Sequence, residues 1–424
     1  MRVKVRKKDE SINVFGGLNF INNQVKKLKL AEHIDNFLGK RKANSKYTYS
    51  QVLLSWVNST FCGNKKIFQI ESIRKYLNLL PNQVIPSHDT IGRVFKSLKA
   101  KTQSEESIGI RKMVTNTTNY NQKLNNFLAS TLNLMGILKN KQHILDIDTI
   151  VLPTTVNDAT LSYKKDIVGY NPCVAFIDKL CVGVEGRLGN VSPKYKILDF
   201  YKKTIKNLEK NNIQVDKIRI DAAGYSAEIF DYLNSTGKQY YIRAHRTVKL
   251  KNLYNNTNES DWQKAEMELS EYCGEYLFYS VEHELYTGLK CRCVMYKKLR
   301  KRETVQCIIT NDMESSDEEI IRLYLDRGNS ERNFDYLRND FGWKYPPFSN
   351  LAENTVFYIM AAFCNNLYQY ILEVFSKKTE GIKTTFRLTT FIRKVIRLAT
   401  KTFNNNVIEI RDVVQDIDYS MLMT

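Results

Sequence analysis

The sequence has little of several features that usually mark a protein class. Seven prolines in 424 residues leave few hard breaks, and no Pro-rich or Ser-rich linker divides the chain. The longest apolar run, residues 355–364, is shorter than the ~20 residues that span a bilayer. The basic residues 1–11 lead into no apolar stretch, which is not the pattern of a secretory signal. We therefore expect a soluble, cytoplasmic protein without a membrane partner.

Cysteine and histidine are too scattered to predict a framework of disulfides or metal ligands. The eight cysteines lie mostly inside apolar runs, and the five histidines stand far apart. The one close pair, Cys291 and Cys293, shares a strand face but has no histidine beside it. A disulfide framework is not expected in a large intracellular chain, and this pair matches a structural zinc site poorly.

Positive charge, in contrast, is abundant. The chain has 64 Lys and Arg against 45 Asp and Glu, which gives a net charge of +19. A charge of this size indicates a polyanionic partner, nucleic acid before a membrane surface. The 43% apolar content is ample for packed interiors, and the length exceeds that of one ordinary core, so we expect two or three domains.

The hydrophobic periodicity changes along the chain and predicts an α/β architecture with helical ends. Within the last segment, residues 386–401 have the spacing of an amphipathic helix with a basic face. The predicted segments are a helical DNA-binding region at 1–125, an α/β core at 140–238, a β-rich insertion at 239–312, a returning helical part of the core at 313–375 and a basic helical region at 376–424.

One short predicted helix near the N-terminus carries a basic face. It begins after Pro86, where Ser87 or Asp89 can cap it, and it includes Arg93 and Lys96. These features fit the recognition helix of a helix-turn-helix unit. An ordinary surface helix with basic residues has the same pattern, so both interpretations stay open.

Two strands carry acidic residues at chemically suggestive positions. In the strand-like segment HILDIDTI, Asp146 and Asp148 share one face while Ile147 lies on the other. Two carboxylates on one face of a core strand are costly unless a cation lies between them, and a divalent metal is the natural candidate. Asp221 follows the strand DKIRI, at the end of an α/β sheet where functional groups gather.

A third acidic residue belongs to a predicted helix with a polar stripe. At ~100° per residue, Tyr324, Arg327, Glu331 and Arg338 fall on one side of this helix. A Glu between two Arg is ordinarily a surface ladder of ion pairs, but this ladder shares its face with a tyrosine. Gly328 costs about 1 kcal/mol inside a helix and allows a kink or break there.

The spacing of these four residues resembles the Y-x2-R-x3-E-x6-K signature of bacterial insertion-sequence DDE transposases, with Arg338 in place of the usual Lys. Asp148, followed by Thr149, is similar to the first-aspartate strand of that family. The resemblance covers roughly residues 45 to 375. Segments that resemble its subgroup named insertion-sequence family thirteen-eighty are PSHDT at 86–90, GYNP at 169–172 and DAAGY at 221–225.

The resemblance implies an RNase H-like core, interrupted by the β-rich insertion, with a metal-dependent active site. The implied ligands of two Mg²⁺ ions, which Mn²⁺ can replace, are Asp148, Asp221 and Glu331, and Asp146 stays open as an alternative first ligand. The residues expected to contact DNA are Tyr324, Arg327 and Arg338 near the scissile phosphate, Arg93 and Lys96 on the basic helix, and Trp262, which would stack on an extruded base.

The implied function is cut-and-paste transposition in a bacterial cell. The enzyme would bind the terminal inverted repeats of its element as a homodimer, cleave the strands and join them to target DNA. A catalytically inactive, domesticated DNA-binding protein would have the same charge and N-terminal helices, and another RNase H-like nuclease is a second alternative. The three intact acidic positions favour the transposase over the first alternative, and the Tyr-Arg-Glu-Arg pattern favours it over the second.

Overall fold

The computed structural model describes residues 11–108, 113–139, 142–164, 166–245, 247–267, 274–284, 288–299, 305–403, 407–410 and 417–423. The helices are α1 Leu18–Lys27, α2 Leu30–Leu38, α3 Tyr49–Phe61, α4 Ile70–Leu77, α5 His88–Ser97, α6 Gln122–Met135, α7 Ile197–Lys210, α8 Ala227–Ser235, α9 Val248–Asn255, α10 Asp317–Leu325, α11 Asn329–Asn339, α12 Leu351–Ser376 and α13 Leu388–Phe391. The strands are β1 Gln103–Ile108, β2 Met113–Asn119, β3 Ile144–Thr149, β4 Leu152–Pro153, β5 Thr160–Leu161, β6 Val168–Tyr170, β7 Cys173–Ile177, β8 Leu180–Arg187, β9 Lys217–Ile220, β10 Gln239–Arg243, β11 Gln263–Met267, β12 Gly274–Glu284, β13 Lys290–Lys298, β14 Gln306–Thr310, β15 Thr400–Phe403 and β16 Val407–Ile410.

The chain divides into two compact units. The first unit comprises Met1–Lys99, Tyr336–Phe348 and Val356–Thr424, and the second comprises Ala100–Asp335 and Ser349–Thr355. In the part of the chain that is described, no helix combines the length and apolar character needed to cross a membrane.

The first unit is mainly helical. Thr48 begins α3 with a capping box that it forms with Gln51. The buried Trp56 of α3 contacts Phe95 of α5 edge-on, with 6.0 Å between the ring centroids. The helix predicted after residue 86 is confirmed as α5, and the cap is Ser87, whose hydroxyl accepts from the backbone N–H of Thr90.

The amphipathic helix predicted at 386–401 is confirmed only over residues 388–396 and is wrong beyond them. The α-helix ends at Phe391, a single π-helical turn covers Ile392–Ile396, and the chain then extends into β15, which pairs with β16. Two backbone hydrogen bonds of 2.9 Å join Thr400 to Asn13, near the other end of the sequence. This pairing between distant segments overrides the local helical period.

One large sheet organises the second unit. Among the described residues, eleven strands lie in the order β1-β2-β8-β7-β3-β9-β10-β14-β13-β12-β11. The neighbours β3, β9 and β10 run parallel, and β7 and β8 form an antiparallel pair. Strands that alternate with α7 and α8 confirm the α/β character of residues 140–238.

The two faces of this sheet carry different packing layers. On one face, Leu145, Ile147 and Ile220 join a large apolar cluster with α7 and α8. On the other face, Tyr241 packs with Ile320 and other residues of α10 in a smaller cluster. The alternation along β3 and β9 therefore directs Asp146, Asp148 and the side chain of Arg219 away from the large cluster.

The β-rich insertion continues the same sheet through β14, which pairs with β10. Its Cys291 and Cys293 are buried, and the Cys293 sulfur lies 2.8 Å from that of Cys307 on β14.

Two stretches differ in secondary structure from the prediction. Residues 248–255, inside the insertion predicted to be rich in strands, form α9, and the side chain of Thr247 caps this helix. Residues 103–119, predicted within a helical region, contain the β1–β2 pair.

Candidate active site

The sheet brings Asp148 and Asp221 to the same edge. In the parallel pair β3–β9, Ile147 lies opposite Ile220, so the next residues of the two strands, Asp148 and Asp221, are neighbours. Asp221 begins the short 3-10 turn Ala222–Gly224 and accepts a 2.8 Å hydrogen bond from the backbone N–H of Ala223. Both carboxylates therefore stand where parallel strands end, which is where an α/β sheet gathers its functional groups.

Asp146 is held in a buried ion pair. It lies opposite Arg219 in the strand register, and Arg219 donates to both of its oxygens, from Nε at 2.7 Å and from Nη2 at 2.6 Å. The same guanidinium donates from Nη1 to the backbone oxygen of Leu323 at 2.6 Å, near the end of α10. Burial raises the pKa of Asp146 more than Arg219 lowers it. Both acceptor oxygens of Asp146 are thus engaged inside the protein.

Asp148 has a different partner. Arg327 donates from Nη1 to Asp148 Oδ2 at 2.9 Å, and each side chain is 18% exposed. Burial raises the pKa of Asp148, Arg327 opposes this rise, and the nearby charge of Asp221 adds to it. The Arg327 guanidinium also lies 5.9 Å from the ring centroid of Tyr324. Arginine and tyrosine from the predicted polar stripe therefore meet the two aspartates in one place.

The predicted helix is broken between Tyr324 and Glu331. Helix α10 ends at Leu325, the 3-10 turn Asp326–Gly328 follows, and α11 then begins. The break falls at Gly328, where the sequence allows one. Arg327 lies on the 3-10 turn, and Glu331 is exposed in the first turn of α11.

Arg338 lies near the end of α11, in the stretch of chain that belongs to the first unit. Its Nε is buried and has no hydrogen-bond partner among the described residues. Tyr324 similarly has a buried hydroxyl that makes no hydrogen bond of acceptable geometry with the residues described, and burial raises its pKa.

The arrangement does not by itself form a metal site. Among the described residues, no three Asp, Glu, His or Cys side chains are grouped so that they could hold an ion. Asp148 and Asp221 are together, but Glu331 does not complete a group with them, and Arg327 contacts Asp148. The oxygen donors suit Mg²⁺ chemically, whereas their present positions do not.

The remaining residues that are predicted to bind DNA differ in their exposure. Arg93 and Lys96 are exposed on α5, and the Lys96 ammonium lies 5.5 Å from the Phe348 ring centroid. Trp262 is partly buried against the apolar core of the second unit. Its ring contacts those of Tyr254 and Tyr279 with centroid distances of 5.8 Å and 6.3 Å, and the Lys297 ammonium lies 5.2 Å from it. The Trp262 ring therefore has packing partners.

Three basic residues near the site were missed by sequence reasoning. Arg219 is the partner of Asp146, and Arg243 ends β10 one position beyond Ile242, which pairs with Ile220. His245 follows, and its Nε2 is buried without a hydrogen-bond partner among the described residues. Arg243 and His245 line a cavity of about 660 Å³ that begins at the turn after Asp221. Strand alternation was the available signal, but the pairing of β9 with β10 is needed to use it.

Comparisons with known proteins identify a family for this chain. A family model described as "Transposase DDE domain group 1" matches residues 1–409. No match is found among curated proteins. Among solved structures, the chain is similar to a piggyBac transposase in a cryo-EM synaptic complex with hairpin DNA, at 11% identity and a TM-score of 0.46, over 91% of this chain and 80% of that one. Because the family model spans nearly the whole chain, the protein belongs to the DDE transposase domain family, group 1.

Proposed function

We propose that this protein is a cut-and-paste DNA transposase of a bacterial insertion sequence, with an RNase H-like core. It would bind the terminal inverted repeats of its element, cleave them and transfer the freed ends to target DNA. The observation that carries the proposal is the meeting of Asp148 and Asp221 at the ends of adjacent parallel strands, with Arg327 and Tyr324 beside them. Membership of the DDE transposase family supports it.

We propose Asp148, Asp221 and Glu331 as the ligands of two Mg²⁺ ions, with Mn²⁺ as a substitute. Carboxylate oxygens are the ligands that Mg²⁺ prefers, and a pair of such ions supplies Lewis acidity for phosphoryl displacement. Asp146 is the weaker candidate for first ligand because Arg219 occupies both of its oxygens. Glu331 starts exposed in α11, so completion of the site requires α11 to approach the strand ends.

The DNA contacts are proposed from position and charge. Tyr324, Arg327 and Arg338 would hold phosphates near the scissile bond, while Arg93 and Lys96 on the exposed face of α5 would bind the terminal repeat. Phosphate contacts of this kind fix the register of DNA on the protein. Two element ends must be held together, so the active form would be a homodimer. Stacking of Trp262 on an extruded base stays a prediction.

The five segments inferred from the sequence fit this proposal as functional regions. The helices before residue 125 would bind the terminal repeat, and 140–238 with 313–375 would form the catalytic core around the insertion at 239–312. The basic region 376–424 would add contacts to the DNA backbone. The protein would act in the cytoplasm, on the chromosome of its bacterial host.

One rival function has an observation in its favour. A domesticated DNA-binding protein without catalytic activity would need no metal site, and the residues described contain no grouped set of three ligands. The two functions differ in what they do to DNA rather than in how they bind it.

Incubation of the protein and Mg²⁺ with a plasmid that carries the element's own terminal inverted repeats separates the two. A transposase excises the element and joins it to a new site, and both products are visible by gel and by sequencing of the junctions. Specific binding to the repeats without strand breaks, in Mg²⁺ and in Mn²⁺, would establish the rival instead.

A further inference from the structure

The positively charged Arg327 lies beside two carboxylates whose negative charges require compensation. Asp148 and Asp221 are adjacent carboxylates at the strand ends, and Asp148 is 18% exposed. Two such charges in a poorly hydrated place repel each other and are costly to bury unless a cation compensates them. The Arg327 guanidinium, itself 18% exposed, provides this charge with a 2.9 Å hydrogen bond to Asp148.

We infer that Arg327 is the resident counter-ion of Asp148 and Asp221 in the DNA-free enzyme, and that a divalent cation must displace it to bind. The inference rests on the proposed function, because it concerns the same carboxylates. It adds a competition between a protein cation and the metal, which explains why the carboxylates are brought together without forming a metal site.

The neighbouring ion pair of Asp146 and Arg219 is an example of a firmly anchored contact in this protein. Arg219 donates to both oxygens of Asp146 and also to the backbone oxygen of Leu323, so its guanidinium is anchored on several sides. The hydrogen bond from Arg327 to Asp148 uses one nitrogen and one oxygen. A monodentate contact is easier to exchange for another ligand than a bidentate one with further anchors.

The backbone around Arg327 suits a side chain that has two positions. Arg327 belongs to a three-residue 3-10 turn between α10 and α11, with Gly328 immediately after it. A stretch of 3-10 helix between two α-helices is a common site of hinge motion. Movement of this turn would carry Arg327 away from Asp148 and would reposition Glu331, three residues after Gly328, at the same time.

DNA is the agent that would draw Arg327 away. A phosphate that enters the site offers the guanidinium a bidentate anionic partner, which releases Asp148 for the metal. Binding of DNA would then increase metal affinity, and by thermodynamic reciprocity metal would increase DNA affinity. In the absence of DNA, the ion pair of Arg327 with Asp148 opposes metal binding by the two carboxylates.

The test measures Mn²⁺ binding to the full-length, DNA-free protein by the loss of the free Mn²⁺ signal in electron paramagnetic resonance. Wild type is compared with Arg327→Gln, Arg327→Lys and the double variant Arg327→Gln/Asp148→Asn. Arg332→Gln is the matched control, because Arg332 is exposed on α11 and loses the same charge. Circular dichroism and thermal unfolding confirm that each variant is folded before titration.

We expect Arg327→Gln to bind Mn²⁺ at least roughly tenfold more tightly than wild type, with the gain lost in the double variant. Arg332→Gln and Arg327→Lys should stay within about threefold of wild type, since neither removes the charge beside Asp148. A short terminal-repeat duplex should increase Mn²⁺ affinity more in wild type than in Arg327→Gln. These results together support the inference.

Two other results overturn it and differ in what they leave standing. If wild type and Arg327→Gln bind Mn²⁺ equally tightly and the double variant Arg327→Gln/Asp148→Asn does not bind it, Arg327 does not compete and the metal-dependent function survives. If neither protein shows Mn²⁺ binding that depends on Asp148, with or without DNA, the inference and the proposed metal site fail together.

Discussion

At the scale of single residues, the partner of a carboxylate separates two aspartates that the sequence presents as equivalent. Asp146 and Asp148 share one face of β3, and both have raised pKa values because each carboxylate is largely removed from water. Arg219 holds Asp146 through two short hydrogen bonds, whereas Asp148 stands at the strand end beside Asp221. The Asp146–Arg219 ion pair contributes to the stability of the fold, whereas the position of Asp148 suits a catalytic role.

The variant Asp146→Asn should therefore lose stability before it loses catalysis. Removing the charge from one partner of a buried ion pair typically costs about 3–5 kcal/mol, because the other charge is left uncompensated. Thermal unfolding should show a clear fall in Tm for Asp146→Asn. Asp148→Asn should keep a Tm near that of wild type and lose strand cleavage. Full cleavage by Asp148→Asn, measured below the Tm, would mean that Asp148 is not the first ligand.

At the scale of elements, the turn before α10 anchors the segment that carries Tyr324 and Arg327. Asp312 accepts hydrogen bonds from the backbone N–H groups of Glu314 and Ser315 at 3.1 Å and 3.0 Å, and from the Tyr241 hydroxyl at 2.6 Å. Burial acts to raise the pKa of Asp312, but these hydrogen bonds and the Ser315 hydroxyl outweigh it and lower the pKa to about 2. The ionised form of Asp312 therefore stabilises the turn.

This depressed pKa predicts a pH-dependent loss of stability. Asp312 has a lower pKa in the folded than in the unfolded chain, so its contribution is present above the unfolded pKa of about 3.9 and disappears as pH falls through about 2. The shift corresponds to about 2–3 kcal/mol at pH 7, and roughly half of this remains at pH 3. Wild type and Asp312→Asn should therefore differ in Tm at pH 7 and converge on acidification. A constant difference between pH 7 and pH 3 would rule this out.

Much of the element structure follows from local sequence signals. The side chains of Ser226 and Ser316 cap α8 and α10, as serine commonly does at a helix start, and the period-two pattern predicts β3. The helix predicted at 386–401 ends at Ile396 because Thr400 pairs with Asn13, which no local pattern reveals. The ion pair of Asp146 with Arg219 was hidden for the same reason, since it depends on the register of two strands far apart in sequence.

At the scale of the whole molecule, the net charge of +19 favours electrostatic attraction to the phosphates of DNA. Each phosphate neutralised by a Lys or Arg releases counter-ions, so binding weakens linearly on logarithmic axes as salt increases. Family membership and this charge agree on a polyanionic partner, but neither indicates which basic residues make the contacts.

The proposed role of α5 is open to a salt titration. Arg93→Ala and Lys96→Ala should each weaken binding to a terminal-repeat duplex and reduce the slope of log K against log salt by roughly 1. Lys290→Ala is the control, because Lys290 is exposed on β13, outside the regions proposed to hold DNA phosphates, and pairs with Glu282 at 2.8 Å. Fluorescence anisotropy at several NaCl concentrations gives the slopes. Identical slopes for wild type and both α5 variants would remove α5 from the interface.

Asp148, Asp221 and Glu331 are proposed to act together in strand cleavage, and a cleavage assay of single variants examines all three. Cleavage of a labelled terminal-repeat duplex in Mn²⁺ is measured for Asp148→Asn, Asp221→Asn and Glu331→Gln, with Glu209→Gln, an exposed carboxylate on α7, as control. We predict that each of the three variants binds the duplex like wild type but cleaves it roughly 10³-fold more slowly, a loss of about 4 kcal/mol. The Glu209→Gln control should cleave normally. Wild-type cleavage by any one of the three variants would contradict the assignment of that residue, and wild-type cleavage by all three would rule out the proposed active site.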